Sequence, residues 1–143
     1  MIVGFTGTQR GMTPNQKASF NAALDDIDEI TLIKEFHHGD CIGADADACE
    51  VVKKCFPETE VHRHPPEHSA KRAFTEADVD YPKKRYLDRN QDIVDACDIL
   101  IAAPAEIDEK LRSGTWATVR RARKAHKDLL LIYPSGERKL EIQ

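Results

Sequence analysis

The chain has 143 residues, 32% of them charged, and its 21 Lys+Arg stand against 25 Asp+Glu for a formal net charge of −4. That length fits one domain, 1–143, and can hide roughly 70% of its unfolded surface, so neither disulfides nor a metal are required to hold it together. The acidic balance argues against a broad nucleic-acid surface, and no apolar run approaches the ~18–20 residues that span a bilayer.

The first segment, Ile2–Thr6, is apolar and β-branched with no basic region before it, and reads as a strand rather than a signal peptide. Gly7–Gly11 breaks it. Thr13 offers an N-cap and Pro14 suits a first helical turn, so residues 14–29 are predicted helical, with Phe20, Leu24 and Ile27 at helical spacing. Thr31–His37 reads as a second strand, followed by the glycine loop His38–Gly43 and a helix over Ala44–Cys55. Glu60–His64 is a third strand. Residues 65–85, with Pro65, Pro66 and Pro82, read as an irregular excursion of the kind that often serves function. Asp88–Ala96 is predicted helical and Asp98–Ala102 a fourth strand. A polar loop, Pro104–Leu111, precedes a helix opened by Ser113-Gly114-Thr115. Leu129–Tyr133 is a fifth strand, Pro134–Gly136 a turn, and 135–143 a polar tail. Strands alternating with helices predict an α/β chain with a parallel sheet covered on both faces, whose ligands bind beyond the carboxyl ends of the strands. The four cysteines (Cys41, Cys49, Cys55 and Cys97) form no C-x-x-C pair and are expected to be reduced thiols of a cytoplasmic protein.

Several segments just after strand ends carry candidate chemistry. In Gly7-Thr8-Gln9-Arg10 the glycine permits close backbone approach, and Thr8 and Arg10 supply donors for phosphate or carboxylate; an ordinary strand-to-helix turn is the other reading. His38-Gly39-Asp40-Cys41-Ile42-Gly43-Ala44-Asp45 precedes a helix whose free N–H groups can take an anion, while Asp40 or Asp45 could accept from ribose hydroxyls. Asp45 could equally serve only the first turn of that helix. Arg112-Ser113-Gly114-Thr115-Trp116 would make a phosphate cradle, with Trp116 placed either to stack on a base or to pack in the core. Arg89 and Asn90, near the start of the third helix, read as ligand-reaching residues or as plain helix polarity. Ala103 and Pro104 follow the fourth strand. Residues 110–127 hold seven Lys/Arg and no Asp/Glu, which reads mainly as a solvated face. The histidines are uninformative: His62 and His64 alternate on one strand, His37-His38 end another, and no Cys/His spacing matches a structural zinc site.

Taken together, the Gly7–Arg10 turn, the His38–Asp45 loop, the Arg89–Asp98 stretch and the Arg112–Val119 stretch resemble the SLOG superfamily over roughly residues 1–134. The resemblance implies a Rossmann-like, doubly wound, mostly parallel sheet of about five strands. It also implies a pocket for a nucleotide or nucleotide-derived ligand, and self-association as a dimer or higher oligomer. The hydrolase branch resembles P-G-G-x-G-T followed by a glutamate. Here Ser113 replaces a glycine and no acidic residue follows Thr115 before Asp128, while the phosphate-binding part is kept. The expected function is therefore non-catalytic binding of an ADP-ribose-like or cyclic nucleotide, as a sensor or a phage sponge against antiviral immunity. No cofactor, metal, membrane or nucleic acid is expected. An N-glycosidase using Asp40 or Asp45 is the alternative, and a DNA-associated module using Arg120, Arg123 and Lys127 the third.

Overall fold

The computed structural model describes residues 1–143. In chain order the elements are β1 (Ile2–Gly7), α1 (Pro14–Ile30), β2 (Glu35–His38), α2 (Ala44–Cys55), β3 (Glu60–Arg63), β4 (Val79–Asp80), α3 (Tyr86–Ala96), β5 (Ile99–Ala103), α4 (Gly114–Lys124), β6 (Asp128–Ile132) and β7 (Arg138–Glu141), with a 3-10 turn at Ser69–Lys71. The start of α1 shows the local logic. Thr13 Oγ1 accepts from the Gln16 N–H while Gln16 Oε1 accepts from the Thr13 N–H, and Pro14 fills a position that needs no donor.

The strands form one sheet in the order β4-β3-β2-β1-β5-β6-β7, parallel throughout except for β7. Alternating side chains divide the core in two. Val3, Phe5, Phe36, Val61 and Ile101 pack against Phe20 and Leu24 of α1 and Ala48 and Val52 of α2. Leu100, Ala102, Leu129 and Leu131 pack against Ile93 and Val94 of α3 and Trp116, Val119 and Ala122 of α4. Helices on both faces of a mostly parallel sheet make this a Rossmann-like α/β fold. Strand order reverses between β1 and β5, so the loops leaving those two strands diverge and open a crevice at their carboxyl ends.

The sheet has two more strands than the alternation pattern predicts. β4 lies inside the 65–85 segment, pairing His62 with Val79 and Arg63 with Asp80. β7 lies in the segment read as a polar tail and pairs antiparallel with β6, setting Leu140 beside Leu130. Both are edge strands, and edges carry the charges that make a strand read as loop: Arg138 pairs with Asp26, and Glu141 with Arg123. The second strand starts at Glu35 rather than Thr31, because Asp28 Oδ1 captures the Ile33 N–H at the end of α1. No helix is long and apolar enough to cross a membrane.

Candidate functional site: a cationic cleft at the start of α4

A cleft of about 480 Å³ lies at the switch point, lined by Gly7–Arg10 after β1, Ala105, Glu106, Lys110 and Arg112 after β5, Ser113–Thr115 at the start of α4, and Tyr86 at the start of α3. Two candidate segments that are distant in sequence meet here, the Gly7–Arg10 turn and the Arg112–Thr115 cradle. Ser113 caps α4 by accepting the Trp116 N–H on its Oγ at 3.2 Å. That leaves the Gly114 and Thr115 N–H groups without a protein partner at the positive end of the helix. Arg10, Lys110 and Arg112 take part in no ion pair, and Glu106 is the one carboxylate on the wall. A wall with three cations, one anion, two unpartnered N–H groups and the Thr8 and Thr115 hydroxyls offers the donors and charge that a compact anion requires.

Gly114 is glycine for a reason visible in the packing: a Cβ there would collide with the Tyr86 hydroxyl. Tyr86 in turn lies over the Arg89 guanidinium, at 4.7 Å from ring centroid to Cζ. Tyr86, Ala105, Glu106 and Lys110 escaped the sequence reading. Tyr86 stands three residues before Arg89, one helical turn away, which is the signal that would have found it.

The remaining candidates sit below the cleft. Arg89 is buried and donates to the carbonyl oxygens of Gly39 and His64 and to Cys41 Sγ. It positions Tyr86 and the loop instead of reaching a ligand. The His38–Asp45 loop is closed by its own chain. Asp45 Oδ2 accepts the N–H groups of Gly39 (3.2 Å) and Cys41 (3.1 Å), and the Thr8 carbonyl accepts the Ala44 N–H at 2.9 Å. The Gly39, Cys41 and Ala44 N–H groups are thus occupied, the Asp45 and Ala46 N–H groups at the start of α2 keep no protein acceptor, and the position beside them is held by the buried Asp45 carboxylate. Asp40 is fully buried and accepts from Arg72 Nε, the Thr75 N–H and the Thr75 hydroxyl, clamping the 65–85 segment. Its own N–H donates to His38 Nδ1. Gly43, with φ +88°, brings its Cα where a Cβ would strike the Thr8 and Gln9 carbonyls.

Burial pushes Asp45 up to about 6, opposed by the Arg89 guanidinium and the two N–H donors. Burial likewise holds His38 down at about 4. Asn90 is buried beside Arg89 on α3. Ala103 and Pro104 are buried with their carbonyls accepting from Thr8 N–H and Gln16 Nε2. Trp116 is 2% exposed within the α3–α4 core, so its ring is core packing and not a stacking platform. The basic face of α4 is largely paired: Arg120 and Arg123 with Glu109, Arg123 also with Glu141, and Lys127 on the Cys97 carbonyl. A broader groove of about 580 Å³ between α3 and α4 carries Arg120, Arg121 and Lys124; Arg120 is paired with Glu109 and Arg121 donates to the Gln91 side-chain oxygen.

No family model matches the chain, and no curated protein is similar to it in sequence. Solved structures do resemble it. The molybdenum cofactor binding protein of the phototrophic bacterium Rippkaea orientalis superposes with a TM-score of 0.68 at 20% identity, over 92% of this chain and 76% of that one. The Moco carrier protein of Chlamydomonas reinhardtii superposes with a TM-score of 0.65 at 19% identity, over 91% and 74%. At these identities the likeness establishes that the three proteins share a fold.

Proposed function

We propose that the chain binds a phosphorylated small molecule in the α4 cleft and releases it unchanged. The observation that carries this reading is the pair of unpartnered N–H groups on Gly114 and Thr115, facing a wall with Arg10, Lys110 and Arg112. Asp40 and Asp45, the carboxylates considered for bond cleavage, are engaged with Arg72, Thr75 and the Gly39–Cys41 backbone, which supports binding over turnover. Two ligand classes fit a phosphate-sized seat beside a polar wall. One is a nucleotide-derived molecule such as ADP-ribose or a cyclic nucleotide, the ligand class implied by the SLOG resemblance. The other is the molybdenum cofactor, named for two of the solved structures that share this fold. Roles as a sensor, or as a sponge in antiviral defence, belong to the nucleotide class.

The test is native mass spectrometry of protein expressed in a molybdenum-cofactor-producing bacterium, followed by calorimetry of the ligand-free protein with ADP-ribose and a panel of cyclic nucleotides. Recovery of an intact phosphorylated molecule, strongly reduced in Gly114→Ala, is the expected result, and the same spectra report whether the chain self-associates. Release of free base and ribose phosphate would replace this reading with a glycosidase, with Glu106 as its one cleft carboxylate, and Glu106→Gln would then abolish turnover.

A further inference from the structure

The parallel register of β2 and β3 sets Glu35 beside Glu60 and His37 beside His62. Residues two apart on a strand share a face, so these four side chains form two rungs of one polar square. The square lies on the sheet face that carries α3 and α4, because His37 is the register partner of Gly4, which looks toward Cys97 and Ile93. The apolar cover contributed by α3 and α4 packs on β5 and β6; at β2–β3 the square takes its place. Glu35 and Glu60 open their strands, His37 and His62 follow two residues on, and none of the four lines the cleft.

The geometry is that of a ligand set. Glu35 Oε1 lies 2.8 Å from His37 Nε2 and 3.4 Å from His62 Nε2, and Glu60 Oε1 lies 2.6 Å from His62 Nε2. One donor atom from each of Glu35, His37 and His62 falls within 4.8 Å of the others. Both imidazoles are buried and stack at 4.3 Å, while their Nδ1 atoms point away onto second partners. His37 Nδ1 is 2.8 Å from His64 Nε2, and His62 Nδ1 is 2.8 Å from the Tyr81 hydroxyl. An imidazole nitrogen and a hydroxyl can each accept, so both histidines can carry the proton on Nδ1 and turn the Nε2 lone pair toward the carboxylates. Outer partners that fix the tautomer in this way are the usual support of metal-binding histidines. Tyr81 and His64 are themselves stacked at 4.1 Å, which stiffens that outer layer.

We propose that Glu35, His37 and His62, completed by Glu60, bind a divalent transition-metal cation of the zinc type. Two neutral imidazoles and two carboxylates suit such an ion and balance its charge. Bonds of ~2.0–2.1 Å from a tetrahedral centre place ligands ~3.3 Å apart. The Glu35–His62 spacing already meets that figure, and the two shorter spacings widen by a rotation of half-exposed glutamates. The Glu35 and Glu60 side chains are 31% and 53% exposed, which leaves the entry path on the carboxylate side. The bound ion would clasp β2 to β3 and, through Tyr81, hold the 65–85 segment; it takes no part in the cleft.

The experiment is titration of the purified full chain with Co2+ and then Zn2+. The expected result is one equivalent of Co2+, visible d–d absorption without a thiolate-to-cobalt band in the near ultraviolet, displacement by Zn2+, and a higher melting temperature with either ion. Glu35→Gln and His62→Asn should each weaken binding at least tenfold, and Tyr81→Phe by a smaller factor with a changed d–d spectrum. Glu60→Gln alters only a half-exposed side chain and so reads the site even if His62→Asn fails to fold. Absence of stoichiometric binding overturns the proposal. So does binding unchanged in Glu35→Gln and Glu60→Gln, or a thiolate band, which would place the ion on a cysteine.

Discussion

Two helix starts flank the switch point, and each follows a strand and a glycine loop. At α2 the loop is closed by its own anion: the buried Asp45 carboxylate takes the Gly39 and Cys41 N–H groups and the Thr8 carbonyl takes that of Ala44, while the Asp45 and Ala46 N–H groups stay without a protein acceptor. At α4 the only side chain that turns back is Ser113, which satisfies Trp116 and leaves the Gly114 and Thr115 N–H groups free. The two starts differ in the charge set beside their free N–H groups, a buried carboxylate at α2 and the Arg10, Lys110 and Arg112 cations at α4. The closed start does structural work for the open one. Arg89, anchored on the closed loop, holds Tyr86, and Tyr86 forms the wall above Gly114.

Breaking the closed start should produce the largest effect. Arg89→Leu takes the nearby guanidinium charge from the buried Asp45 and a buried donor from the Gly39 and His64 carbonyls, and each buried group left unsatisfied costs about 1–3 kcal/mol. Urea unfolding at pH 7 measures it. The deficit should shrink on mild acidification, as Asp45 takes up a proton. A loss under ~1 kcal/mol would mean that the loop does not depend on Arg89.

Acid sharpens the same point. His38 is kept neutral by burial, with a folded value of about 4 against 6.5 for the free side chain. As pH falls below 6.5 the unfolded chain takes up that proton first, so the fold loses roughly 3 kcal/mol by pH 4. His64, held at about 3 by burial and the neighbouring histidines, acts in the same sense. Asp45 acts in the opposite sense. Raised to about 6, it binds its proton in the folded state first and returns part of the loss between pH 6 and 3.8. Denaturation midpoints from pH 7 to 4 should therefore fall, and in His38→Asn the slope should drop by about one proton. An unchanged slope would place the acid sensitivity elsewhere.

Closing the open start is the next effect in size. Gly114→Ala pushes a methyl group against the Tyr86 hydroxyl and crowds the free N–H pair. Hydrogen bonds to charged groups contribute about 1.5–3 kcal/mol, so the affinity for ADP-ribose, used as the phosphorylated probe, should fall by at least about tenfold. The melting temperature should stay within a few degrees of the parent. Binding retained in Gly114→Ala would move the seat off α4. The smallest effect is expected from single cation removal. Arg10→Ala and Arg112→Ala, both solvent-facing, should each weaken the same probe a few-fold at low salt, and less at high salt where exposed charges are screened.

Much of the architecture was legible in the chain. Thr13, Pro14 and Gln16 mark the start of α1 because capping is a local event, and the boundaries predicted for α2 are those of the structure. Buried central strands such as Ile99–Ala103 are recognisable because an apolar run with both faces covered has few other uses. β4 and β7 were not legible, since an edge strand is stabilised by a neighbour far along the chain while its own side chains stay polar. The cleft was half legible. The two glycine-containing segments that line it could be picked out, but Lys110 carries no local mark of a ligand wall and Tyr86 only its one-turn spacing from Arg89.

The sequence by itself determined the alternation of strands and helices, the parallel sheet, and the short list of segments at the strand ends. These follow from local periodicity and turn chemistry, which act over a few residues. Only the tertiary structure decided which of two similar helix starts faces a cationic wall, that Trp116 and Arg89 turn inward, and that Glu35, His37, Glu60 and His62 share one face. Those outcomes depend on which distant groups meet a given N–H or carboxylate. That is a property of register and packing and has no signature in the order of residues alone.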